Sequence, residues 1–251
     1  MSVTIHRTGL NKTTGQQSDA IVTDNLVGDF QPNAGIESAY WDNQKSGQNN
    51  LRRFNSITHN NSAPHNFQFD GTDDYLGAAS GSYGGDPFNV NAANAFTLAQ
   101  WVKYNAVNHF AFVLTNGSSE SIVLDLNSST SNKAEVTVTS TNYSVSAATT
   151  FNFTFADDSW YYIALTHDGA GNYKFYVNGS FVGSSGIGRC ADNGALEIGK
   201  SGSSYTGAGT KVGHIHVYSA ALTNSQIRQN VLASHKTHSD RTYGGLGVEG
   251  G

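Results

Sequence analysis

The sequence predicts an all-β protein, organised as a sandwich of two antiparallel sheets, and three observations lead to this prediction. Strand-like runs recur about every 8 to 15 residues with turn signals between them, a spacing typical of sandwiches. Charged residues make up only 13% of the chain, against about 25% in an average protein. The 28 glycines, with abundant Ser, Thr and Asn, suit short strands and tight turns better than helices.

The clearest of the strand-like runs form a meander of three strands over residues 159–183. The segment 160–166 is aromatic and β-branched, which suits a pleated, half-buried surface. Residues 168–172 then break the pattern with types that tolerate positive φ. The next strand has two faces, one of Tyr173, Phe175 and Val177 and the other of Lys174 and Tyr176. Asn178-Gly179 is the preferred pair for a type I′ turn, and the return strand begins at Phe181.

Other alternating segments supply the remaining strands. They lie at 21–30, 67–69, 96–104, 110–115, 121–126, 134–140, 151–155, 195–198 and 212–218. One short helix is predicted from about residue 224 to Ser234, because Thr223 and Gln226 form a capping box. Leu222 and Ile227 occupy the hydrophobic-staple positions around that cap.

The length and charge of the chain limit its organisation and partners. The 251 residues suit one undivided domain, which we predict at 20–235, after an N-terminal arm at 1–19 and before a Gly-rich tail at 236–251. The net charge of −5 argues against a nucleic-acid partner, because phosphate binding needs clustered Lys and Arg. We expect no signal peptide and no membrane insertion, since no long apolar run occurs. A single cysteine, Cys190, excludes an intrachain disulfide framework.

Five segments stand out, in this order: FDGTDDY at 69–75, FTLAQWV at 96–102, WYYIALTHDG at 160–169, YVNG at 176–179 and VGHIHVYSAALT at 212–223. Together they resemble the laminin-G-like branch of the concanavalin A-like lectin/glucanase superfamily. The resemblance implies a two-sheet antiparallel jelly roll. The lead-in IVTDNLV at 21–27 is similar to versions of the domain in structural proteins of tailed phages.

Two catalytic interpretations fail on the sequence. GALEIGKS at 194–201 matches the P-loop pattern, but its middle residues alternate as a strand and no helix can follow, so we predict no nucleotide site. The resemblance also covers glucanases, whose E-x-D-x-x-E strand places catalytic carboxylates on one face, and no such triplet occurs in this chain. We therefore expect a protein that is not an enzyme.

Two groups of residues offer metal ligands, although no cofactor is predicted. His214 and His216 leave the same face of a strand at a spacing that can hold Zn²⁺, but no third ligand is evident, and two surface or interface histidines are the alternative. Asp70, Asp73 and Asp74 offer oxygens to Ca²⁺, as loops in calcium-bearing relatives do. The alternative is a tight turn in which Asp bonds its own backbone.

Carbohydrate binding needs an aromatic ring for the apolar sugar face and polar groups for the hydroxyls. Three predicted loops have that composition, with loop packing or subunit contact as the alternative for each. Their candidate residues are Tyr40, Trp41, Asp42 and Asn43 in the first loop, Tyr83 and Asp86 in the second, and Tyr205 in the third.

Together these observations lead us to expect a non-enzymatic structural protein of a tailed-phage particle, either a head decoration or a fibre subunit. It would be made in the host cytoplasm and reside in the virion. The terminal arms would dock on other virion subunits, the protein would form a homo-oligomer, and its loops would contact host-surface glycans. A free carbohydrate-binding lectin module is the alternative, followed by a glucanase.

Overall fold

A computed structural model describes residues 20–37, 39–77, 94–115, 120–127, 132–190 and 195–235. Within these ranges the chain forms eighteen strands and one helix. The first nine strands are β1 (Leu26–Phe30), β2 (Tyr40–Trp41), β3 (Leu51–Phe54), β4 (Thr58–Asn60), β5 (Asn66–Gln68), β6 (Tyr75–Gly77), β7 (Ala95–Tyr104), β8 (His109–Thr115) and β9 (Glu120–Leu126). The others are β10 (Ala134–Ser140), β11 (Val145–Phe151), β12 (Ser159–Asp168), β13 (Asn172–Val177), β14 (Ser180–Gly186), β15 (Ala195–Ile198), β16 (Lys200–Ser201), β17 (Ser204–Tyr205) and β18 (Lys211–Tyr218), followed by α1 (Asn224–His235).

Sixteen of these strands form two antiparallel sheets of eight, and β16 pairs with β17 in a separate two-stranded sheet. The prediction of two antiparallel sheets is confirmed. The helix-side sheet has the order β14-β13-β12-β7-β18-β5-β4, with β1 paired on β18. The opposite sheet has the order β11-β10-β9-β8-β15-β6-β3-β2. Neighbours in both sheets are often distant in sequence, as β7 and β18 are, which is the connectivity expected of a jelly-roll sandwich.

The main core lies between the two sheets. Alternate residues of each strand point inward, so Phe96 on β7 and Leu165 on β12 meet Phe112 and Leu124 from the opposite sheet in one buried cluster. Burial of one such side chain stabilises the fold by about 1.5–3 kcal/mol. The interlayer core is therefore the main source of stability.

A second core lies on the outer face of the helix-side sheet. Trp101 and Tyr162 pack there beneath Ile227 and Val231 of α1. Trp101 donates a hydrogen bond from Nε1 to Oγ of Ser234 over 2.8 Å. The helix therefore covers one face of the sandwich.

The predicted meander and helix cap are confirmed. Asn178 and Gly179 both have positive φ, 51° and 79°, as a type I′ turn requires. The backbone N–H of Thr223 donates to Oε1 of Gln226 over 2.9 Å, and α1 begins at the next residue.

Two predicted strands have other bounds in the structure, and β2, β3, β4, β16 and β17 lie in segments for which no strand was predicted. Strand β1 covers only Leu26–Phe30, because residues 20–25 follow an irregular path beside the helix. Strand β11 ends at Phe151, where its pairing with β10 stops, so the prediction of an aromatic strand through 155 is wrong. Phe153 and Phe155 instead pack edge-on against Tyr161.

The predicted arm at 1–19 and tail at 236–251 lie outside the described residues. Among the described residues, no helix is both long enough and apolar enough to span a membrane.

Candidate functional site

A groove of about 480 Å³ lies beside the edge strand β14, on the outer side of the helix-side sheet. Its walls come from the ends of β12 and β13, from the start of β14 and from residues 221–224, which lead into α1. The side chains that give it chemical character are Asp168, Asn172, Lys174, Tyr176 and Phe181. The groove thus joins the predicted meander to the helix cap.

Phe181 is the most exposed aromatic ring among the described residues, with 51% of its surface accessible. The type I′ turn places it opposite Tyr176, and the two rings meet edge-on at 5.6 Å. Phe175 pairs with Gly183, so Val182 is an extra residue in β14 and forms a bulge. Val182 packs against the interlayer core while Phe181 points outward. An exposed phenyl face at the rim of a groove is a surface on which an apolar ligand face can stack.

The polar groups of the groove are held in place by the turn between β12 and β13. The carboxylate of Asp168 accepts hydrogen bonds from the backbone N–H of Ala170 at 2.7 Å and from Nδ2 of Asn172 at 2.6 Å. Burial alone would raise the pKa of Asp168, but the hydrogen bonds from Asn172 and Ala170 outweigh it and hold that pKa below its ordinary value. Asp168 is therefore an ionised acceptor near neutral pH. Lys174, exposed on the next strand, adds an ammonium donor.

The arrangement suits binding better than hydrolysis. A groove that contains an exposed ring, a carboxylate, an amide and an ammonium group can contact both the apolar faces and the hydroxyls of an oligosaccharide. Glycoside hydrolysis requires two carboxyl groups that flank the bond. Asp168 is the one carboxylate among the residues that line this groove.

The first predicted sugar-binding loop is instead part of the structural core. Trp41 is fully buried, with its ring 4.7 Å from that of Phe67, and its Nε1 donates to the carbonyl of Gln31. The prediction that Trp41 stacks on a sugar is therefore wrong. Successive side chains of a strand point to opposite faces, so it is Tyr40 that occupies the outer side of β2.

Hydrogen bonds within the folded chain already engage the side chains of Asn43 and Asp42. The side chain of Asn43 accepts from the backbone N–H of Asp29 and of Lys45 and donates to the carbonyls of Val27 and Asn49. Asp42 accepts from Nδ2 of Asn50 over 2.6 Å. Loop packing, the alternative given for these residues, therefore accounts for their contacts.

Tyr205 lies beside a stack of rings and cations on the opposite sheet. The rings of Phe54 and Tyr75 are parallel with centroids 4.0 Å apart, and Tyr205 is 6.3 Å from Tyr75. Arg52 covers the ring of Phe54 at 4.7 Å, and Lys200 covers that of Tyr75 at 4.4 Å. Arg52 and Lys200 thus cover the two outer faces of the stacked rings of Phe54 and Tyr75, so neither face is open for stacking on a sugar. The remaining candidates, Tyr83 and Asp86, lie outside the described residues.

The aspartate loop after β5 brings its three carboxylates together. Oxygens of Asp70, Asp73 and Asp74 lie within 4.8 Å of one another. Asp70 accepts from the backbone N–H of Thr72, and Asp74 accepts from that of Asp70, as in a tight turn. Burial, reinforced by the two neighbouring carboxylates, raises the pKa of Asp74 to about 6 against the effect of this hydrogen bond.

These oxygens fit the ligand preference of Ca²⁺. Oδ1 of Asp74 is buried and makes no hydrogen bond within the described part of the chain, so a hard cation would satisfy it. Asp70, Asp73 and Asp74 would hold the ion, which would favour the ionised form of Asp74.

The histidine pair is buried and has a third candidate ligand nearby. His214 and His216 are 4% and 0% exposed, so the interpretation as two surface histidines is wrong. Nε2 of His214 donates to Oδ1 of Asp29 over 2.5 Å. Burial alone would raise the pKa of Asp29, but the hydrogen bond from His214 and the charges of both histidines hold it below its ordinary value. Asp29 could not be found from spacing, because it is 185 residues from His214.

Comparison with known proteins places the fold in a family. A laminin-G-type family model, described as Concanavalin A-like lectin/glucanases superfamily, matches residues 70–228, which is more than half of the chain. This chain belongs to that superfamily. A search of curated proteins found no match.

Several solved structures share the fold of this chain at low sequence identity. The binding domain of Paraclostridial Mosquitocidal Protein 1 is 13% identical with a TM-score of 0.62, over 83% of this chain and 52% of that one. Trypanosoma rangeli sialidase is 17% identical with a TM-score of 0.65, over 88% of this chain and 35% of the enzyme. Domain 4 of the Geobacillus stearothermophilus arabinanase AbnA, solved with arabinotriose, is 13% identical with a TM-score of 0.63, over 82% of this chain and 98% of that domain. The chain thus spans about half of the toxin domain and about a third of the sialidase.

Sequence reasoning missed the groove, although one signal for it was available. Tyr176 falls on the polar face of its strand together with Lys174, and Phe181 follows a two-residue turn. Two aromatic residues on a face that should be solvated indicate an exposed aromatic surface. The position of residues 221–224, which complete the groove, depends on the tertiary fold.

Proposed function

We propose that this protein is a non-catalytic carbohydrate-binding domain that holds an oligosaccharide in the groove beside Phe181. The observation that carries the proposal is that the half-exposed ring of Phe181 lines the same groove as the ionised carboxylate of Asp168 and the amide of Asn172. One face of a sugar ring would stack on the phenyl ring while its hydroxyls bond the polar groups.

The fold supports this proposal as a framework. Members of the superfamily share a rigid sandwich, and a domain of similar architecture was solved with arabinotriose. Two local features fix the shape of the groove: the bulge in β14, and the turn between β12 and β13 in which Asp168 bonds the backbone. A preorganised site loses little side-chain entropy when it binds its ligand.

The binding should be weak at one site and useful when repeated. A millimolar Kd corresponds to about −4 kcal/mol. Several copies on one assembly would raise the effective affinity by about 10²–10⁴ without any new contact.

Glycan-array screening of the purified protein, followed by calorimetry with the best oligosaccharide, tests the proposal. Phe181→Ala should weaken binding at least about tenfold, equivalent to about 1.4 kcal/mol. Tyr143→Ala is the matched control, because Tyr143 is also an exposed aromatic, at 42%, and does not line the groove. Absence of any glycan ligand, or an equal loss in both variants, would overturn the assignment.

The proposed lack of catalysis has a separate test. The best oligosaccharide and a set of β-glucans would be incubated with the protein, and new reducing ends would be measured. We expect none, since the residues that line the groove include no second carboxylate. Turnover that Asp168→Asn abolishes would make the groove an active site.

A structural role in a tailed-phage virion is the second candidate. The observation in its favour is that the described domain begins beside its final helix. Gln229 donates a hydrogen bond from Nε2 to the carbonyl of Ala20 over 2.7 Å, so the chain enters the domain beside the final helix. Terminal segments that leave from one face could dock a homo-oligomer on the same neighbouring subunit, as in a head decoration or a fibre assembled in the host cytoplasm.

Mass spectrometry of purified virions tests this role directly, with the chain expected among the particle proteins. Deletion of residues 1–19 should abolish oligomerisation and particle attachment while leaving glycan binding intact. Virions that lack the chain would remove the structural role without affecting the carbohydrate proposal.

A further inference from the structure

We propose that Asp29, His214 and His216 form a metal site that binds Zn²⁺, or a divalent transition-metal ion of similar preference, and ties β1 to β18. The site is separate from the groove and independent of the carbohydrate proposal. It is formed by residues on two paired strands of the helix-side sheet.

The strand pairing brings the three side chains together. Asp29 and His216 are directly opposite in the antiparallel register of β1 and β18, and His214 is two residues along the same strand. All three therefore leave the same face of the sheet. Oδ1 of Asp29 is 2.5 Å from Nε2 of His214 and 3.9 Å from Nε2 of His216.

These distances are close to those of a metal centre. Zinc binds imidazole nitrogen and carboxylate oxygen at about 2.0–2.2 Å, which places tetrahedral ligands about 3.3 Å apart. The longer separation, 3.9 Å, needs to shorten by about 0.6 Å to reach this value. The shorter one needs to widen by less than about 1 Å. The hydrogen bond between Asp29 and His214 would be replaced by two bonds to the ion, and the Nε2 proton of His214 would move to Nδ1 or be released to solvent.

Neighbouring groups orient the ligands as they do in known metal sites. Nδ1 of His216 lies 2.9 Å from the hydroxyl oxygen of Tyr162, which can accept a hydrogen bond from Nδ1–H while Nε2 faces Asp29. The second carboxylate oxygen of Asp29 accepts a hydrogen bond from Nε2 of Gln31 over 3.0 Å. Two of the three ligands thus have the outer partners that fix side-chain orientation.

Burial points to a structural ion instead of a catalytic one. Asp29, His214 and His216 are 7%, 4% and 0% exposed, which leaves no open path for a substrate. Within the described residues β18 is the one strand that pairs with β1, whose other edge is bonded by the loop at Asn43 and Gln44. An ion between β1 and β18 would strengthen their pairing, because it binds the folded state and not the unfolded one.

Titration of the full-length, chelator-treated protein with Zn²⁺ tests the site. We expect one ion per chain by elemental analysis, with micromolar or tighter Kd, and a rise in Tm on zinc addition. Asp29→Asn and His214→Gln should each weaken binding at least tenfold and remove the zinc-dependent rise. His59→Gln is the matched control, since His59 is a partly buried histidine that bonds the carbonyl of Pro32 and lies outside the cluster.

Cobalt substitution of the wild-type protein keeps the proposal falsifiable if a variant fails to fold. Co²⁺ bound by two imidazoles and a carboxylate should give visible ligand-field bands that saturate at one equivalent and that Zn²⁺ removes. No bands and no effect of zinc on Tm would overturn the proposal and leave a metal-free hydrogen-bonded network. Unchanged affinity in Asp29→Asn and His214→Gln would also overturn it, and would assign the ion to other histidines.

Discussion

Single residues of this fold are constrained most where the backbone approaches a buried ring. Gly199, between β15 and β16, has φ +92°, and a Cβ added there would lie 2.3 Å from the ring of Phe69. Phe69 is fully buried and cannot move away without disturbing the interlayer core. The same glycine lies within the apparent P-loop pattern, so its presence is explained by packing and not by phosphate.

We therefore expect Gly199→Ala to lower the free energy of unfolding by about 3 kcal/mol, from a left-handed backbone and an overpacked core. Gly202→Ala is the matched control, because Gly202 also has positive φ, 59°, but has no atom within 4 Å of its added Cβ. Its cost should be about 1 kcal/mol. Urea unfolding measures both, and equal costs would contradict the packing explanation.

Turn and capping motifs of a few residues define the ends of the secondary-structure elements, and the capping box of α1 is the clearest example. Thr223 and Gln226 bond each other reciprocally at the first turn, and the carbonyl of Thr223 accepts from the N–H of Ile227. The helix matters beyond its own length because it covers the second core and borders the groove.

Thr223→Ala should destabilise the protein by about 1 kcal/mol, since the backbone N–H of Gln226 loses its acceptor. Thr223→Ser retains the hydroxyl and should recover most of that loss. Thermal unfolding followed by circular dichroism gives the comparison. If the serine variant is as unstable as the alanine variant, the cap is not the cause.

The whole molecule depends on two sheets that meet around a few buried polar groups. His109 on β8 and Gln100 on β7 face each other across the interlayer space, with 3.4 Å between their Nε2 atoms. His109 is 1% exposed, and burial, which disfavours the charged imidazolium, lowers its pKa to about 3. The sheets therefore pack around a neutral imidazole.

Stability should consequently fall in acid. The unfolded chain binds a proton on His109 near pH 6.5, whereas the folded chain does so near pH 3, so stability is lost as pH falls through this window. The slope is at most about 1.4 kcal/mol per pH unit for one group. Asp74, with its raised pKa, acts in the opposite direction between about pH 6 and 4.

His109→Gln should flatten this dependence between pH 6.5 and 4, measured by urea unfolding at several pH values. Leu98→Ala is the control, because it destabilises the same core without removing a titratable group. A His109→Gln slope equal to that of Leu98→Ala would show that other groups govern the acid response.

Features encoded by neighbouring residues were predictable at each of these scales. The type I′ turn at Asn178-Gly179 and the capping box at Thr223 follow from backbone preferences within four residues. The alternation of residue types along β13 likewise separates Tyr173 and Phe175 from Lys174, because successive side chains of a strand point to opposite faces.

Contacts between distant residues were not predictable in this way. The sequence does not show whether Trp41 belongs to a loop or to the core; its contact with Phe67 in the folded structure does. The proximity of Asp29 to His214 likewise depends on the pairing of β1 with β18. The groove beside Phe181 exists because residues 221–224 return to the edge of the meander.

By itself, then, the sequence determined the all-β class, the positions of most long strands along the chain and the one helix, because hydrophobic period and turn chemistry are local properties of the chain. Only the tertiary structure decided which aromatic rings are exposed and which polar groups converge. Those outcomes depend on the register and layering of strands that lie far apart in sequence, and the spacing of residues along the sequence determines neither.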